Sequence, residues 1–473
     1  MATRTHTPDI VNAVTGDLNK HPKGLYVLFA TEMWERFSFY SMLALFTLYM
    51  RNPDEGFGWS AEQATTLYSN YLMFVYASPL IGGWLADKKL GYRRAVMIGG
   101  LFFMAGHLLL SFRSLVAVYT ALTCLVIGNG LFKPNVSTMV GNLYPEGSHL
   151  KDRAYNIFYM GINIGAFLAP VVMEIVKQKV GNHPAFAVAA FGMLISVGIL
   201  WKFKKDVEEP KRGAITAEPP ADVAPVTVDA PPKGISHQKG DTKLAHGSHT
   251  SRANAMEMVP ESRRIVALVV IFLIVIVFWM VFHQNGSTLT YWADKNTDWN
   301  VSGTISNAIN PFWVVTLTFP LVWFWKWLDK KGKEPSTPTK MAIGMTLTGM
   351  SFFILYFAAK AGEATTTAGD PYAFKVSPAW LIVSYAVVTL GELMLSPMGL
   401  ALVSKVAPIR MRGLMMGGWF VATAAGNKLT MIGVYWERWL HSTFFAILGA
   451  AALFMAVVLF LLLKPLKRAM PGV

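Results

Sequence analysis

Five charged residues set the chemistry of this chain: Glu32, Glu35 and Arg36 inside the stretch Thr31 to Tyr40, then Lys133 and Glu392 much further along. Each interrupts an apolar run. A carboxylate in apolar surroundings has its proton affinity raised by desolvation and lowered again by a nearby cation, so such a cluster can exchange a proton. The same charges match a zwitterion. A terminal carboxylate would take Arg36 or Lys133 and a terminal ammonium would take Glu392. The separation of the poles would select length, which suits a short peptide. No HExxH, GxSxG, Walker loop or Cys/His metal spacing is present, so the chemistry on offer is proton and charge-pair exchange, not bond cleavage. No metal site and no cofactor are expected, and the coupling ion would be the proton itself.

These residues need elements to hold them. On a helix, positions i, i+3, i+4 and i+8 share a face, so Glu32, Glu35, Arg36 and Tyr40 project together. The chain of 473 residues is 53% hydrophobic and only 15% charged. Twelve apolar runs follow, at 24–50, 62–86, 95–112, 115–140, 153–176, 185–203, 264–285, 303–328, 340–360, 378–403, 411–436 and 442–463. Most are near or above the roughly 20 residues that cross a bilayer core. The expected fold is therefore an all-α integral membrane protein. At about 1.5 Å per residue, Glu32 and Lys133 lie at similar depths, roughly 13 and 10 Å from the inner side, so the two can meet. Glu392 falls near mid-bilayer from the opposite end of its span.

Charge distribution fixes an expected orientation. With the N-terminus in the cytoplasm, 31 of the 42 Lys and Arg fall on inner segments and eight on outer loops, as the positive-inside rule requires of a chain with both termini cytoplasmic. The net charge of +14 is thus a topology signal, and nucleic acid is not an expected partner. The start of the chain is polar and shows no signal-peptide pattern. The single cysteine, Cys124, excludes an intramolecular disulfide.

Residues 204–262 are rich in Pro, Ala and Lys and read as a flexible cytoplasmic linker. They separate a six-span unit, 1–203, from a second, 263–473. A weak repeat supports that division: Gly82 to Arg94 (GGWLADKKLGYRR) and Trp325 to Lys333 (WKWLDKKGK) occupy corresponding places. Two six-span halves with a site between them at the midplane is a transporter pattern.

The run Gly83 to Arg94, with Asp87, Gly91, Arg93 and Arg94, resembles the loop 2–3 motif of the major facilitator superfamily. Glu32-Met-Trp-Glu35-Arg36-Phe37-Ser-Phe-Tyr40 is similar to the ExxERFxYY motif of its proton-dependent oligopeptide transporter (POT/PTR) family. Gly130 to Asn135, Phe158 to Gly165 and Gly391 to Pro397 resemble that family's fourth, fifth and tenth spans. The resemblance implies the major facilitator fold and a bacterial-type symporter that imports di- and tripeptides with protons by alternating access, placed in the plasma membrane. It implies proton coupling through Glu32, Glu35, Arg36 and Lys133. It implies a peptide pocket lined by Arg36, Tyr40, Tyr76, Lys133 and Asn163 on the first half, and by Trp279, Gln284, Asn310, Glu392, Ser396 and Trp419 on the second. It also implies a cytoplasmic loop in which Asp87 pairs with basic groups and glycines allow close helix approach. Pro134, Pro311 and Pro397 would permit bending at the gates. A carrier of another small solute, such as nitrate, a sugar or a drug, is the alternative on the same fold.

Plainer readings stand beside these. Glu32, Glu35, Arg36 and Lys133 could form a structural ion-pair network; Glu392, Asn163 and Asn310 could serve helix–helix contacts. Glu174, near the outer end of its span, is expected to snorkel to the interface, and Lys428 could do the same. Two departures from the family matter. An Arg that usually follows the ExxERFxYY run is Leu43, and an acid before Gln284 is His283. The outer-gate ion pair those positions make in family members cannot form, and Arg51 with Asp294 is the substitute expected. His283 either titrates and joins the coupling or is a neutral, hydrogen-bonded side chain. Some bacterial members carry two extra spans between the halves, and 204–262 has no run long enough for one.

Overall fold

The structure, a computed structural model, describes residues 21–144, 150–207, 258–366, 370–408 and 411–471. The greater part of the expected linker lies outside the described residues, as does most of the N-terminal segment. Among the described residues there are twelve helices of at least 18 residues: α1 (Lys23–Arg51), α2 (Ala61–Leu85), α3 (Tyr92–Leu109), α4 (Leu115–Asn142), α5 (Leu150–Val180), α6 (Asn182–Lys202), α7 (Glu261–Phe282), α8 (Ser306–Lys330), α9 (Thr337–Glu363), α10 (Pro378–Val406), α11 (Arg412–Leu429) and α12 (His441–Ala469). Eight segments are long and apolar enough to cross a membrane; α1, which carries the three clustered charges, α2, α3 and α11 are outside that set.

The expected runs and the helices agree except at their ends. The seventh run does not stop at 285. Its helix breaks into a 3-10 turn at His283–Gly286 and resumes as a two-turn helix, Thr288–Lys295. The eleventh ends in a 3-10 stretch, Thr430–Tyr435, and the eighth begins with one, Gly303–Ile305. Sequence hydropathy does not register such breaks, because a 3-10 turn buries the same side chains with a tighter backbone.

Buried apolar side chains form two large clusters. One runs from Leu25 to Val207 and the other from Ala267 to Met470. Among the described residues Ala61 is the one fully buried apolar residue of α1–α6 that joins the second cluster. Close approach within the first set depends on glycine: a Cβ on Gly82 of α2 would sit 1.9 Å from the Gly130 carbonyl oxygen of α4. That contact brings α2, with Tyr76, against the helix that carries Lys133. At the inner turn, Asp87 lies in a π-helical turn, Ala86–Leu90, Arg93 donates to the Lys204 carbonyl at 3.2 Å, and Arg94 is exposed.

The hydrogen bonds and ion pairs that tie α1–α6 to α7–α12 among the described residues are concentrated toward the end where α1 stops and α2 begins, the side that the charge asymmetry assigns to the outside. The Thr47 hydroxyl donates to the Gly286 carbonyl at 3.0 Å. Thr65 and Tyr291 share a bond of 3.3 Å. Arg51 pairs with Glu437, Arg438 with Glu62, and Lys428 donates to Asn70. Gly286 makes the approach possible, since a Cβ there would lie 1.9 Å from the Tyr68 hydroxyl oxygen of α2.

Candidate functional site

α1 delivers its charged face as the helical spacing predicts. Glu35 and Arg36 form a two-point pair, Arg36 Nη2 donating to Glu35 Oε1 at 2.6 Å and Arg36 Nε to Glu35 Oε2. Arg36 Nε also lies 3.2 Å from Glu32 Oε1, one turn back. All three are buried: Glu32 is 2% exposed, Glu35 0% and Arg36 3%. One guanidinium thus serves two carboxylates, and the second oxygen of Glu32 has no hydrogen-bond partner. Arg36 also lies over the ring of Phe39, with 4.8 Å to its centroid.

Lys133 is placed differently from the expectation that it meets Glu32. Among the described residues it makes no ion pair; its ammonium rests on the face of Tyr76, 4.7 Å from the ring centroid. The physical reason is that Arg36 already occupies both acids, leaving the α4 cation to the nearest π face. Tyr40, Tyr76 and Lys133 are half-buried. The Tyr40 and Tyr76 hydroxyls lie within electrostatic range of Arg36 on their own helix set and of Glu392 on the other.

On the second set, Glu392 of α10 is half-buried and accepts from Asn310 Nδ2 of α8 at 2.8 Å; the same Asn310 amide donates to the Thr389 hydroxyl at 2.9 Å. Glu392 has no cation partner among the described residues, so it is both a helix–helix tie and an acid with one oxygen to spare. Ser396 follows one turn later on the same face and is half-buried, while Pro397 is exposed.

Other expected pocket residues are placed less directly. Gln284 is 0% exposed, and its amide is fully used: it donates to the Met280 and Thr430 carbonyls at 3.2 and 3.1 Å and accepts from the Thr288 hydroxyl at 2.8 Å. The 3-10 turn at His283–Gly286 rotates it into the α7–α11 contact. Trp419 is 2% exposed and packs edge-on against Phe272, centroids 6.2 Å apart, in the hollow left by Gly399. Asn163 is buried and donates to the Tyr159 carbonyl four residues back at 2.9 Å. His283 stacks on Trp279 with centroids 5.0 Å apart and faces Tyr76 across the seam at 5.6 Å. His283 Nδ1 and Trp279 Nε1 are buried without a hydrogen-bond partner. Leu43 is 8% exposed in the apolar cluster of the first set, so no ion pair joins positions 43 and 283.

The expected Arg51–Asp294 pair is not formed. Arg51 reaches Glu437 instead, over the ring of Tyr291 at 4.4 Å, and Asp294 Oδ1 is committed to the Gly303 N–H at 3.0 Å. Glu174 does not snorkel; it is 4% exposed and accepts from Ser302 of the other helix set. Lys428 likewise turns to Asn70. Ser302, Thr304, Glu437 and Arg438 are absent from the sequence reading, because loop residues that meet only across a helix seam carry no spacing signal.

A family model described as "POT family" matches residues 93–436. A di-/tripeptide transporter of Lactococcus lactis subsp. lactis is 29% identical over 96% of this chain and 97% of its own length. A peptide transporter of Yersinia enterocolitica, YePEPT, is 32% identical over 95% of each. Among solved structures, a mutant of the peptide transporter POT in complex with alafosfalin superimposes with a TM-score of 0.79 at 31% identity, covering 97% of this chain and 99% of that one. This chain therefore belongs to the POT family, whose members are membrane transporters.

Proposed function

We propose that this protein imports di- and tripeptides together with protons by alternating access. The observation that carries the reading is a charge site on each helix set: Arg36 with Lys133, which makes no ion pair among the described residues, and Glu392 with an oxygen to spare, with the Tyr40 hydroxyl in electrostatic range of Arg36 and Glu392. A peptide carboxylate would draw on Lys133 or Arg36 and its ammonium on Glu392. The names of the relatives, a di-/tripeptide transporter and a peptide transporter among them, support that substrate class.

In this reading proton coupling runs through Glu32, Glu35, Arg36 and Lys133, the two cations holding the acids ionised until a peptide carboxylate draws on them. Two carboxylates compete for one guanidinium, and the unpartnered Glu32 oxygen is where a proton would sit. If the peptide carboxylate takes part of Arg36, an acid loses its cation and binds a proton; proton loss restores the ion pair and expels the peptide. Such mutual dependence is a coupling free energy between two ligands. The remaining pocket residues, Asn163, Trp279, Gln284, Asn310, Ser396 and Trp419, shape or support the cavity, Gln284 and Trp419 from behind it. The chain is taken to cross the plasma membrane twelve times with both termini cytoplasmic. Units 1–203 and 263–473 rock about the site, joined by the linker 204–262.

The test is uptake of labelled dialanine into proteoliposomes under an inward proton gradient. Accumulation that collapses when the gradient is dissipated is the expected result. If dipeptides are neither taken up nor able to compete, the assignment fails.

A further inference from the structure

The family-type ion pair at the outer gate is missing here, yet the seam is shut at that end. On α5, the buried Glu174 carboxylate accepts the Ser302 N–H at 2.8 Å, the Ser302 hydroxyl, and Gln178 Nε2 at 2.7 Å. Lys177 lies 3.3 Å from the same carboxylate and donates to the Ser302 hydroxyl and, at 3.1 Å, to that of Thr304. Ser302 caps the 3-10 turn that leads into α8, so its N–H is a donor the helix itself does not use. Carboxylate, ammonium, amide and hydroxyls therefore close a ring of bonds between α5 and the start of α8, that is, between the two helix sets.

We infer that Glu174 is the outer-gate residue of this chain: with Lys177 it clasps Ser302 while the site faces inward, and it must release Ser302 for the site to face outward. Three observations converge on this. The carboxylate is buried and every charged partner it has lies within the clasp. Among the described residues no charged pair closes the seam at Leu43, sunk in the apolar core, or at His283, stacked on Trp279. And Lys177 also borders a cavity of about 580 Å³, together with Arg51, Asn52, Asp54, Tyr291 and Asp294. Water in that cavity can replace the clasp's bonds as they part, which keeps release within reach of an ordinary transport cycle. Elsewhere at this end Glu437 takes Arg51 and the Ala61 N–H at 3.3 Å, and the Arg51–Glu437 and Arg438–Glu62 pairs are partly or fully exposed, where ion pairs stabilise little.

The inference rests on alternating access but needs no peptide to test. Ala61 of α2 is fully buried in the apolar cluster of the other helix set, so a reporter Ala61→Cys in a Cys124→Ser background becomes reachable when the seam opens. In intact cells, a membrane-impermeant maleimide reads its exposure from outside. Glu174→Gln should raise the labelling rate about tenfold or more, since a hydrogen bond to a charged group is lost. Ser302→Ala, which keeps the N–H, should raise it less. A core reporter, Ala185→Cys, controls for unfolding and should stay unlabelled. An unchanged rate in Glu174→Gln overturns the inference, and so does labelling of Ala185→Cys in step with Ala61→Cys. Because the readout is independent of substrate, failure of peptide uptake leaves the result intact.

Discussion

Glu392→Gln isolates the charge of the acid from its shape. The glutamine is isosteric and can still accept from Asn310, whose amide lies 2.8 Å from the present carboxylate. What it loses is the negative charge offered to a ligand ammonium. A pair of unit charges about 4 Å apart interacts by roughly 4 kcal/mol at an effective dielectric constant of 20. Desolvation offsets much of that, and hydrogen bonds to charged groups contribute about 1.5–3 kcal/mol net. Each 1.4 kcal/mol is about tenfold in affinity, so a free-amine dipeptide should weaken about 10- to 150-fold. The assay is competition against labelled dialanine in proteoliposomes, comparing dialanine with its N-acetylated form. The acetylated peptide should bind less well to the parent protein and be nearly indifferent to the substitution. Equal weakening of both peptides would refute an ammonium role for Glu392 and leave it as the α8–α10 tie alone.

Other outcomes follow from the same geometry. Lys133→Ala should abolish proton-driven accumulation while dipeptide exchange at equal pH partly survives, because Arg36 remains to hold a carboxylate; equal loss of both activities would contradict the coupling scheme. Gly286→Ala places a Cβ 1.9 Å from the Tyr68 hydroxyl oxygen, and overpacking of that kind costs about 1–3 kcal/mol. The clash exists only when the seam is closed, so uptake should fall about 5- to 150-fold with the fold retained, and parental uptake would show that Tyr68 yields freely. Arg51→Met should change thermal stability by less than about 1 kcal/mol, as exposed ion pairs do, and a larger loss of melting temperature would mark Arg51 as part of the clasp.

The parts of this molecule that were legible in the sequence are those written in local spacing. Hydropathy located twelve helices, with ends off by up to seven residues, and the 3.6 period placed Glu32, Glu35 and Arg36 on one face, where they are found bonded together. Residues whose role depends on a partner from a distant helix were not legible. Lys133 was expected at Glu32, but pairing is a competition, and Arg36 sits closer on the same helix. Gln284 was expected in the cavity, yet a break in the helix turned its amide to the Thr430 carbonyl. Arg51 and Asp294 are of opposite sign and both lie near the outer end, but Asp294 is claimed by the Gly303 N–H, a backbone donor that charge counting ignores. Glu174 had no visible partner because Ser302, 128 positions later, is an unremarked serine until the chain folds.

The two apolar clusters, with Ala61 as the fully buried crossing residue, bear on how readily the protein changes shape. Had a continuous oily core joined the two helix sets, each stroke would expose apolar surface, at about 25 cal/mol per Å². The described hydrogen bonds and ion pairs across the seam come from hydroxyls, amides and charged side chains, beside apolar contacts such as Phe167 on Phe312, and such bonds are exchanged for water on parting with a small net change. Opposite orientations of the machine can then lie close in free energy, and a ligand shifts such an equilibrium only by its difference in affinity for the two states. In the proposed cycle a dipeptide and a proton supply that difference, and a nearly level seesaw is the kind such ligands can tip.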